Sequence, residues 1–478
     1  MHLLGVLWIL GGLMLVYGVG LTMPMFVDLY YGGAHVFHFL EAASISVLVG
    51  SLLFRYGQKP TQLNHRDGFL VVAMTWIFAT ILGAAPLWTT GTCTSIADGL
   101  FESASGLTTT GATILVGLDK MDPGVLIWRS FQVWIGGMGM VVLAVAVLPM
   151  LGIGGMQLFK AEAPGPTKDK LTSRVTETAQ VLWYLYLALT LIVILAFDLS
   201  GMTTFDAINH AMCTLGTGGF STHDASFGFY PQPVIQWVGA IAMFLAGVNF
   251  TLHYAALSRA FNPSAYWRDE EFRVYLGWVL FLIAVIGLIV IPSGQATLTQ
   301  VVFNIISVVS STGFASTDYN LWPPATLFLF YLATFIAASA GSTSGGIKVV
   351  RIILLMKQGV REIKLLIHPH GIFPVRYNGT VLDNRVINAV WGFFALYLFS
   401  YALIVFLVAL TGVPLVEALS GTIACMSNVG PGLGVIGPAG NFSSLPDGAK
   451  LALTFGMILG RLEVFTLLAL FMPQFWKR

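Results

Sequence analysis

The sequence has little charge for its length. Lysine, arginine, aspartate and glutamate together make up 9% of its 478 residues, whereas 56% are hydrophobic. Soluble domains carry about 25% charged residues, so the composition excludes a water-soluble globule of this size. The mean hydropathy of +0.82 indicates instead a polytopic protein that lies in a lipid bilayer.

Cysteine and clustered basic residues are also scarce. Cys93, Cys213 and Cys425 are too few and too widely spaced for a disulfide framework or a zinc site. The formal net charge is +1, and no basic cluster interleaved with aromatic residues is present, so we expect no nucleic-acid partner. No nucleophile beside a base, metal cluster or phosphate-binding loop is recognisable, so we expect neither an enzyme nor a bound cofactor.

Two long apolar runs begin the sequence. The first, 3–25, lacks a preceding basic segment and a small-residue cleavage site, and it is long enough to cross a bilayer. We interpret it as a retained helix that forms a hairpin with the second run, 36–54. Residues 1–67 would then be an N-terminal transmembrane hairpin.

After this hairpin, one pattern occurs four times: a long apolar segment, a short amphipathic segment, a glycine turn and a second long segment. The short segments are 95–107, 204–215, 299–310 and 415–426, and the turns contain Gly111, Gly219, Gly313 and Gly430. The second long segments, each predicted as a helix, are 124–150, 231–257, 322–356 and 448–472. Successive turn glycines are 108, 94 and 117 residues apart, which indicates internal repetition. The pattern predicts an all-α fold of four pseudo-repeated helix–pore helix–helix units around one central pore: residues 68–178, 179–274, 275–385 and 386–478.

The basic residues predict the orientation in the membrane. With the N-terminus inside, nineteen of the 23 lysines and arginines fall in or beside cytoplasmic segments, in agreement with the positive-inside rule. Both termini are then cytoplasmic, and all four short segments lie on the outer side. Because they are too short to span the bilayer, we expect each to enter from outside, turn at its glycine and return. Such backbone is tolerated only around a protein-lined or water-filled pathway.

The four turns have the composition of an ion filter built from backbone carbonyls. Glycine tolerates dihedral angles that point successive carbonyls at one axis, and threonine hydroxyls supply further oxygen ligands. Four short helices that converge at their C-terminal ends would each present about half a negative charge, which suits a cation. The candidate filter residues are Thr109, Thr110, Gly111, Thr217, Gly218, Gly219, Ser311, Thr312, Gly313, Asn428, Val429 and Gly430.

The second long segment of the third unit is interrupted by glycines and small hydroxyl residues. Each glycine costs about 1 kcal/mol against alanine in a helix, so we expect a broken second helix with an irregular loop below the filter. The segment superficially resembles a phosphate-binding loop, but Lys348 is one residue out of register for that motif. The alternative to a broken helix is a simple kink where helices pack. The loop residues are Gly341, Ser342, Thr343, Ser344, Gly345, Gly346 and Lys348.

Two arginines fall within apolar helices. Arg461 lies in the last helix, where a lipid-facing charge costs about 3 kcal/mol, so it must face an aqueous cavity or a partner. In a cation pathway its charge would act as an electrostatic barrier; a structural ion pair between units is the alternative. Glu463 is only two residues away and points elsewhere, so we expect it to contact another group or to anchor the loop. We interpret Arg129 as a structural polar contact.

These features together resemble the Trk/Ktr/HKT superfamily of potassium transporters, most closely its bacterial TrkH-type membrane subunits, over the whole chain. The likeness rests on the four turns and on 341–348, 460–463, 154–158 and 219–224. In that family, glycine at all four filter positions accompanies potassium permeation. Departures from strict symmetry are Gly218, where two other turns have threonine, and a fourth turn without threonine.

The resemblance implies potassium uptake across the bacterial inner membrane, either down the ion's gradient or coupled to another ion. Potassium would be the substrate, and 341–346 would be an intramembrane gate that moves aside on activation. It also implies a homodimer and a cytosolic TrkA-type ring that docks on the basic inner loops. That partner, and not this chain, would bind ATP/ADP or NAD. One rival is a secondary transporter of a solute, which would need inverted repeats. The other is a non-transporting membrane scaffold, in which four filter-like turns would have no purpose.

Overall fold

The computed structural model describes residues 1–60, 64–142, 169–258 and 262–477. Regular structure in these residues is helical apart from one antiparallel hairpin of β1 (Arg376–Tyr377) and β2 (Thr380–Val381), which confirms the predicted all-α membrane fold. Six of these helices are long and apolar enough to cross a membrane, and up to eight spans result if each of two bent helix pairs is one span. The motif 154–158 and the basic residues Lys160 and Lys168 lie outside the described residues.

The N-terminal section is a close helical hairpin. It contains α1 (Leu3–Gly20), α2 (Thr22–Tyr31) and α3 (Val36–Tyr56). Helices α1 and α3 approach so closely that a Cβ added to Gly11 would lie 2.7 Å from the carbonyl oxygen of Gly50. Small residues allow such backbone contact in membranes, where close packing rather than hydrophobic burial joins helices.

Each of the four following sections contains a long helix, a short helix and at least one further helix. The first section contains α4 (His65–Thr89), α5 (Ile96–Leu107) and α6 (Pro123–Val142). The second contains α7 (Asp169–Leu199), α8 (Thr204–Gly216), α9 (Pro233–Ala246), α10 (Phe250–Ser258) and α11 (Ser264–Arg268). The third contains α12 (Glu270–Val290), α13 (Leu298–Val309), α14 (Pro324–Phe335) and α15 (Val349–Ile367). The fourth contains α16 (Asn384–Leu410), α17 (Leu415–Met426), α18 (Asp447–Arg461), α19 (Phe465–Phe471) and α20 (Pro473–Trp476).

The starts of the short helices α5, α8 and α13 are fixed by their own sequences. The hydroxyl groups of Ser95 and Thr203 accept the backbone N–H groups of Asp98 and Asp206 at 3.0 and 3.1 Å, which is N-capping. Thr297 begins α13 with a capping box. At 1.5 Å per residue, helices of 12 or 13 residues reach only part of the way across a bilayer.

The second section is bent where the sequence predicts one helix over 231–257. Helices α9 and α10 meet at 96°, so that prediction was wrong. At the bend, the carbonyl of Gly247 accepts the N–H of Ser339 at 3.0 Å, and the N–H of Phe250 donates to the carbonyl of Gly341 at 3.1 Å. Contacts with the interrupted part of the third section therefore satisfy the backbone groups that the bend frees.

The fourth section is bent where the sequence predicts one helix over 448–472. Helices α18 and α19 meet at 115°, so this prediction was also wrong, and Arg461 lies at the end of α18 instead of mid-helix. The bend follows from positive φ angles of 57° and 50° at Glu463 and Val464. Neither residue type favours that conformation, so hydrophobic periodicity alone could not indicate the bend.

Large apolar side chains cover the outside of the helical array. Leu199, Leu288 and Leu410 are 86%, 77% and 66% exposed. Long exposed aliphatic side chains at the ends and middles of spans are suited to contact with lipid. Charged and hydroxyl side chains are instead collected inside, around the turns that follow the four short helices.

Candidate functional site

The four turns after the short helices share one backbone conformation. Thr109, Thr217, Ser311 and Asn428 have φ angles between 53° and 57°, and each lies two residues before its turn glycine. A left-handed φ at a residue other than glycine is uncommon and costs on the order of 1–3 kcal/mol. Its recurrence at one position in all four turns means that the surrounding structure holds each backbone in the same shape.

The four turn glycines lie around a common centre. A Cβ added to Gly111 would contact the backbone of Gly219, and one added to Gly219 would lie 2.6 Å from the carbonyl carbon of Gly313. A Cβ on Gly313 would meet the backbone of the fourth turn, and one on Gly430 would lie 2.6 Å from the carbonyl oxygen of Thr110. Each turn therefore contacts the next, and the fourth contacts the first. The ring is closed, and no side chain fits at these positions.

Hydroxyl groups in the turns bond mainly to the protein. The hydroxyl of Thr110 pairs with that of Thr108 at 2.8 Å, and the hydroxyl of Thr312 pairs with that of Ser310 at 2.7 Å. The amide of Asn428 donates to the Thr110 hydroxyl at 3.0 Å, which joins the fourth turn to the first. These contacts hold the turns in place.

Side-chain oxygens do not follow the fourfold pattern of the backbone. The middle position of the second and fourth turns is Gly218 and Val429, which offer carbonyls only. The Thr217 hydroxyl donates to the carbonyl of Gly216 at 2.7 Å, whereas the buried Thr109 hydroxyl has no hydrogen-bond partner among the residues that the structure describes. Side-chain oxygens therefore occur in all four turns only at the first position, whereas every position of each turn has a backbone carbonyl.

A small cavity adjoins the ring. Its volume is about 70 Å³, and its lining includes all four turn glycines. The residues that follow the glycines in each turn complete the lining, among them Thr113, Phe220, Ala315 and Pro431. The ring thus opens on one side into a space large enough for a few water molecules or ions.

The interrupted helix of the third section contacts the ring directly. Helix α14 ends at Phe335 and α15 begins at Val349, with Gly341 and Gly346 at φ angles of 72° and 66° between them. The Ser344 and Ser311 hydroxyls lie 2.7 Å apart, and the N–H of Gly345 donates to the Ser311 hydroxyl at 3.0 Å. The predicted loop is therefore bonded to the third turn.

Two buried cations hold this loop. Arg461, which is 1% exposed, donates from Nη1 to the carbonyl of Thr343 and from Nη2 to the carbonyl of Gly136, both at 2.9 Å. Lys348, which is 4% exposed, donates from Nζ to the carbonyl of Ser344. Both cationic groups bond to backbone carbonyls of the loop, and a charged donor strengthens such a hydrogen bond.

Both ends of the loop are also tied to one carboxylate that the sequence analysis missed. Glu271 Oε1 accepts the N–H of Ala340 at 2.8 Å and the N–H of Val350 at 2.9 Å. Ser342 closes the loop further, because its hydroxyl donates to the carbonyl of Ser339 at 2.6 Å. Glu271 begins an apolar helix, where a carboxylate looks like an ordinary first-turn residue, so no local pattern indicates this contact.

Glu463 forms an ion pair below the loop. Its Oε2 lies 2.6 Å from Nη2 of Arg351 on α15. The guanidinium of Arg351 also stacks over the ring of Phe393, 3.9 Å from its centroid. Glu463 therefore links the bend after α18 to the helix that follows the loop, as expected for a group that does not pair with its neighbour Arg461.

Arg129 forms a buried ion pair beside the ring instead of a simple polar contact. Its Nε lies 2.8 Å from Oε1 of Glu102, and the two side chains are 1% and 0% exposed. Nη1 donates to the carbonyl of Ser221 at 3.2 Å. The guanidinium lies 4.1 Å from the centroid of the Phe220 ring. The sequence predicted only a structural polar contact for Arg129 and did not indicate Glu102 as its partner.

A histidine lies between two carboxylates in the segment after the second turn, outside the membrane spans. His223 Nδ1 is 2.6 Å from Asp119 Oδ1, and Nε2 is 3.4 Å from Asp206 Oδ2. Burial lowers the pKa of His223, but hydrogen bonds to Asp206 and Asp119 outweigh that effect and raise the pKa above its usual value. The hydrogen bond from His223 holds the pKa of Asp119 below its usual range.

Comparison with known proteins identifies the family of this ring and loop. The family model described as "TrkH: Cation transport protein" matches residues 35–478. The chain belongs to the TrkH family. This TrkH-family chain is 41% identical over 485 residues to the Trk system potassium uptake protein TrkH of Escherichia coli (strain K12), with 100% of each chain covered. It is 36% identical to the Trk system potassium uptake protein TrkI of Halomonas elongata, covering 99% of this chain and 97% of the relative.

A solved TrkH structure has the same fold. The crystal structure of the potassium transporter TrkH from Vibrio parahaemolyticus superposes with a TM-score of 0.92 at 38% identity, and the match covers 100% of both chains. The family predicted from the turns and the loop is therefore confirmed.

Proposed function

We propose that this TrkH-family chain takes up potassium across the inner membrane of a bacterium, with both termini in the cytoplasm. The closed ring formed by the four turns carries this proposal. Carbonyl oxygens from four turns replace the hydration shell of a potassium ion, and the C-terminal ends of the four short helices add negative potential. The potassium uptake named for the relatives supports the same ion.

The filter would consist of the turn residues predicted from the sequence. Each turn supplies backbone oxygens at its first and middle positions and a glycine at its third, so that four backbones approach one axis. Among the turn side chains in the described residues, the hydroxyl of Thr109 and the amide oxygen of Asn428 are the two oxygens that the protein leaves without a hydrogen bond. Selectivity would then depend on backbone spacing more than on side chains.

The loop 341–346, with Lys348 and Arg461, would close the pathway on the inner side of the filter. Its direct bonds to Ser311 support this role, because a loop attached to the ring blocks the exit from it. The positive charge of Arg461 opposes the passage of a cation, and its hydrogen bond to the carbonyl of Thr343 would hold the loop in the closed position. Activation would require these bonds to break, with Glu463 and Arg351 next to the moving segment.

We further propose a homodimer in which each chain has its own pore, and a cytosolic TrkA-type ring that binds NAD or ATP. The basic inner surface supports such a partner. Four cationic side chains line one pocket of about 390 Å³ beside α15, and they are Lys357, Arg361, Lys364 and Arg376. Their charge suits an acidic protein surface. Whether uptake is passive or coupled to a second ion would be measured by the same flux assay at different proton and sodium gradients.

Flux through the purified chain tests the proposal. In proteoliposomes, the protein should take up rubidium, potassium should compete, and sodium and organic solutes should compete weakly. Gly219→Ala should abolish uptake, since the added Cβ meets the backbone of Gly313 at 2.6 Å. The control is Gly277→Ala, because an added Cβ there meets nothing within 4 Å. Two results would contradict the proposal. One is that the protein takes up an organic solute but no alkali cation, and the other is that Gly219→Ala takes up as much rubidium as Gly277→Ala.

A further inference from the structure

Each turn of the ring is braced by a polar side chain from the short helix before it. In three helices, that side chain lies nine residues before the turn glycine and reaches the segment after it: Glu102 to the N–H of Ile114 at 2.9 Å, His210 to the hydroxyl of Ser221 at 2.9 Å, and Asn304 to the N–H of Ser316 at 3.1 Å. In the fourth helix, the Ser420 hydroxyl accepts the N–H of Leu433 at 2.9 Å. All four turns are therefore held from outside the ring.

The brace of the first turn differs from the others because it is ionic and extends to the second turn. The carboxylate of Glu102 accepts the Thr113 hydroxyl at 2.9 Å and the Arg129 Nε at 2.8 Å. Arg129 donates from Nη2 to the Thr113 hydroxyl at 3.1 Å and from Nη1 to the carbonyl of Ser221 at 3.2 Å. Thr113 and Ser221 each lie two residues beyond their turn glycines. One guanidinium therefore connects the first and second turns.

We propose that the Glu102–Arg129 pair is a positioning element that sets the spacing of the first and second turns and so determines discrimination between alkali cations. This inference rests on the proposed potassium uptake through the ring. Backbone carbonyls are present at every position of all four turns, and discrimination by carbonyls depends on their number, field and spacing. A link between two turns therefore acts on selectivity more than on assembly.

The charge balance of the Glu102–Arg129 pair also affects the total ion flux, independently of the spacing of the turns. Arg129 lines the cavity beside the ring, and a guanidinium does not lose its proton in proteins. Without Glu102, its charge would stand uncompensated next to the cation path. Without Arg129, the charge left beside the path would be the negative carboxylate, which attracts a cation. Glu102→Gln should therefore lower total flux more than Arg129→Gln does, although both break the same pair.

The experiment uses the full-length chain in proteoliposomes and measures rubidium and sodium flux separately. The test variant is the double substitution Glu102→Gln with Arg129→Met, since replacing both partners of a buried pair is often tolerated. The control is Asp98→Asn with Lys450→Met, which removes an ion pair of 2.7 Å at the outer start of the same helix α5. Arg129→Lys is the second variant, because it keeps the charge and the fold but cannot reach two turns at once.

The double variant should keep rubidium flux while its rubidium-to-sodium ratio falls about tenfold or more, as expected when carbonyl spacing relaxes. Arg129→Lys should give a smaller fall, and the control pair should keep the wild-type ratio. A wild-type ratio in both test variants would overturn the inference and leave the proposed function intact. Wild-type protein without alkali-cation flux would overturn the proposed function itself, and the inference with it.

Discussion

Replacing Arg461 with alanine is expected to raise potassium flux through the resting protein. In the closed arrangement, Arg461 makes two hydrogen bonds of 2.9 Å, to the carbonyls of Thr343 and Gly136. The first bond holds the loop, and the second holds α6 next to it. Alanine removes both bonds together with the positive charge below the ring.

The structure sets the size of the effect. A hydrogen bond from a charged donor contributes about 1.5–3 kcal/mol, so the loop loses at least one such contribution when Arg461 is removed. About 1.4 kcal/mol corresponds to a tenfold change in an equilibrium, and the open fraction should therefore rise tenfold or more. Loss of the electrostatic barrier acts in the same direction, because a cation no longer approaches a fixed positive charge.

Rubidium uptake by proteoliposomes without a cytosolic partner measures the resting flux. Lys450→Met is the matched control, since Lys450 is a buried cation on the same helix α18 but pairs with Asp98, away from the loop. Size-exclusion chromatography in detergent verifies that each variant is folded. Unchanged or lower flux in a well-folded Arg461→Ala protein would refute the barrier and tether roles.

Three further substitutions follow from the same contacts. Glu271→Leu removes the acceptor for the N–H groups of Ala340 and Val350, so resting flux in the same rubidium assay should rise several-fold. Flux equal to that of the wild type would exclude an anchoring role for Glu271. Gly111→Ser places a Cβ 2.4 Å from the backbone nitrogen of Gly219, so rubidium uptake should be lost as in Gly219→Ala; wild-type uptake would contradict the ring. Because the pKa of His223 is raised in the folded protein, its charge stabilises the fold below a pH of about 6.5, and this stability is lost as the pH rises through the raised value. The melting temperature should therefore decrease towards alkaline pH in the wild type and change less with pH in His223→Gln. Parallel profiles would show that the imidazole of His223 does not contribute to stability.

The short helices and turns could be predicted because their determinants are local. Ser95 and Thr203 are strong N-caps, a small-residue turn follows each short helix, and the amphipathic segments are too short to span. The pattern also recurs, so that each turn supports the interpretation of the others. The interrupted third helix was predictable for a similar reason, since the glycines in 341–346 disfavour a helix.

The bends and the buried ion pair could not be predicted because their determinants are far apart in sequence. At the bend of the second section, the carbonyl of Gly247 accepts the N–H of Ser339, which is 92 residues later in the chain. Glu271 looks like a first-turn carboxylate until the loop is placed beside it. Glu102 and Arg129 are 27 residues apart, and the distance between them depends on how a short helix packs on the next one. Such long-range contacts override local propensity.

The link from Asn428 to Thr110 also bears on how the pore is made. In a ring built from one linear chain, two neighbouring parts are not consecutive in the sequence. Here these parts are the fourth turn and the first turn. The ion pair of Asp98 with Lys450 also joins the first and fourth sections. Since a nascent chain emerges from its N-terminus, the fourth turn is the last to be made. Partly synthesised chains therefore have at most three turns, and the ring of backbone oxygens closes only when the final section joins the first.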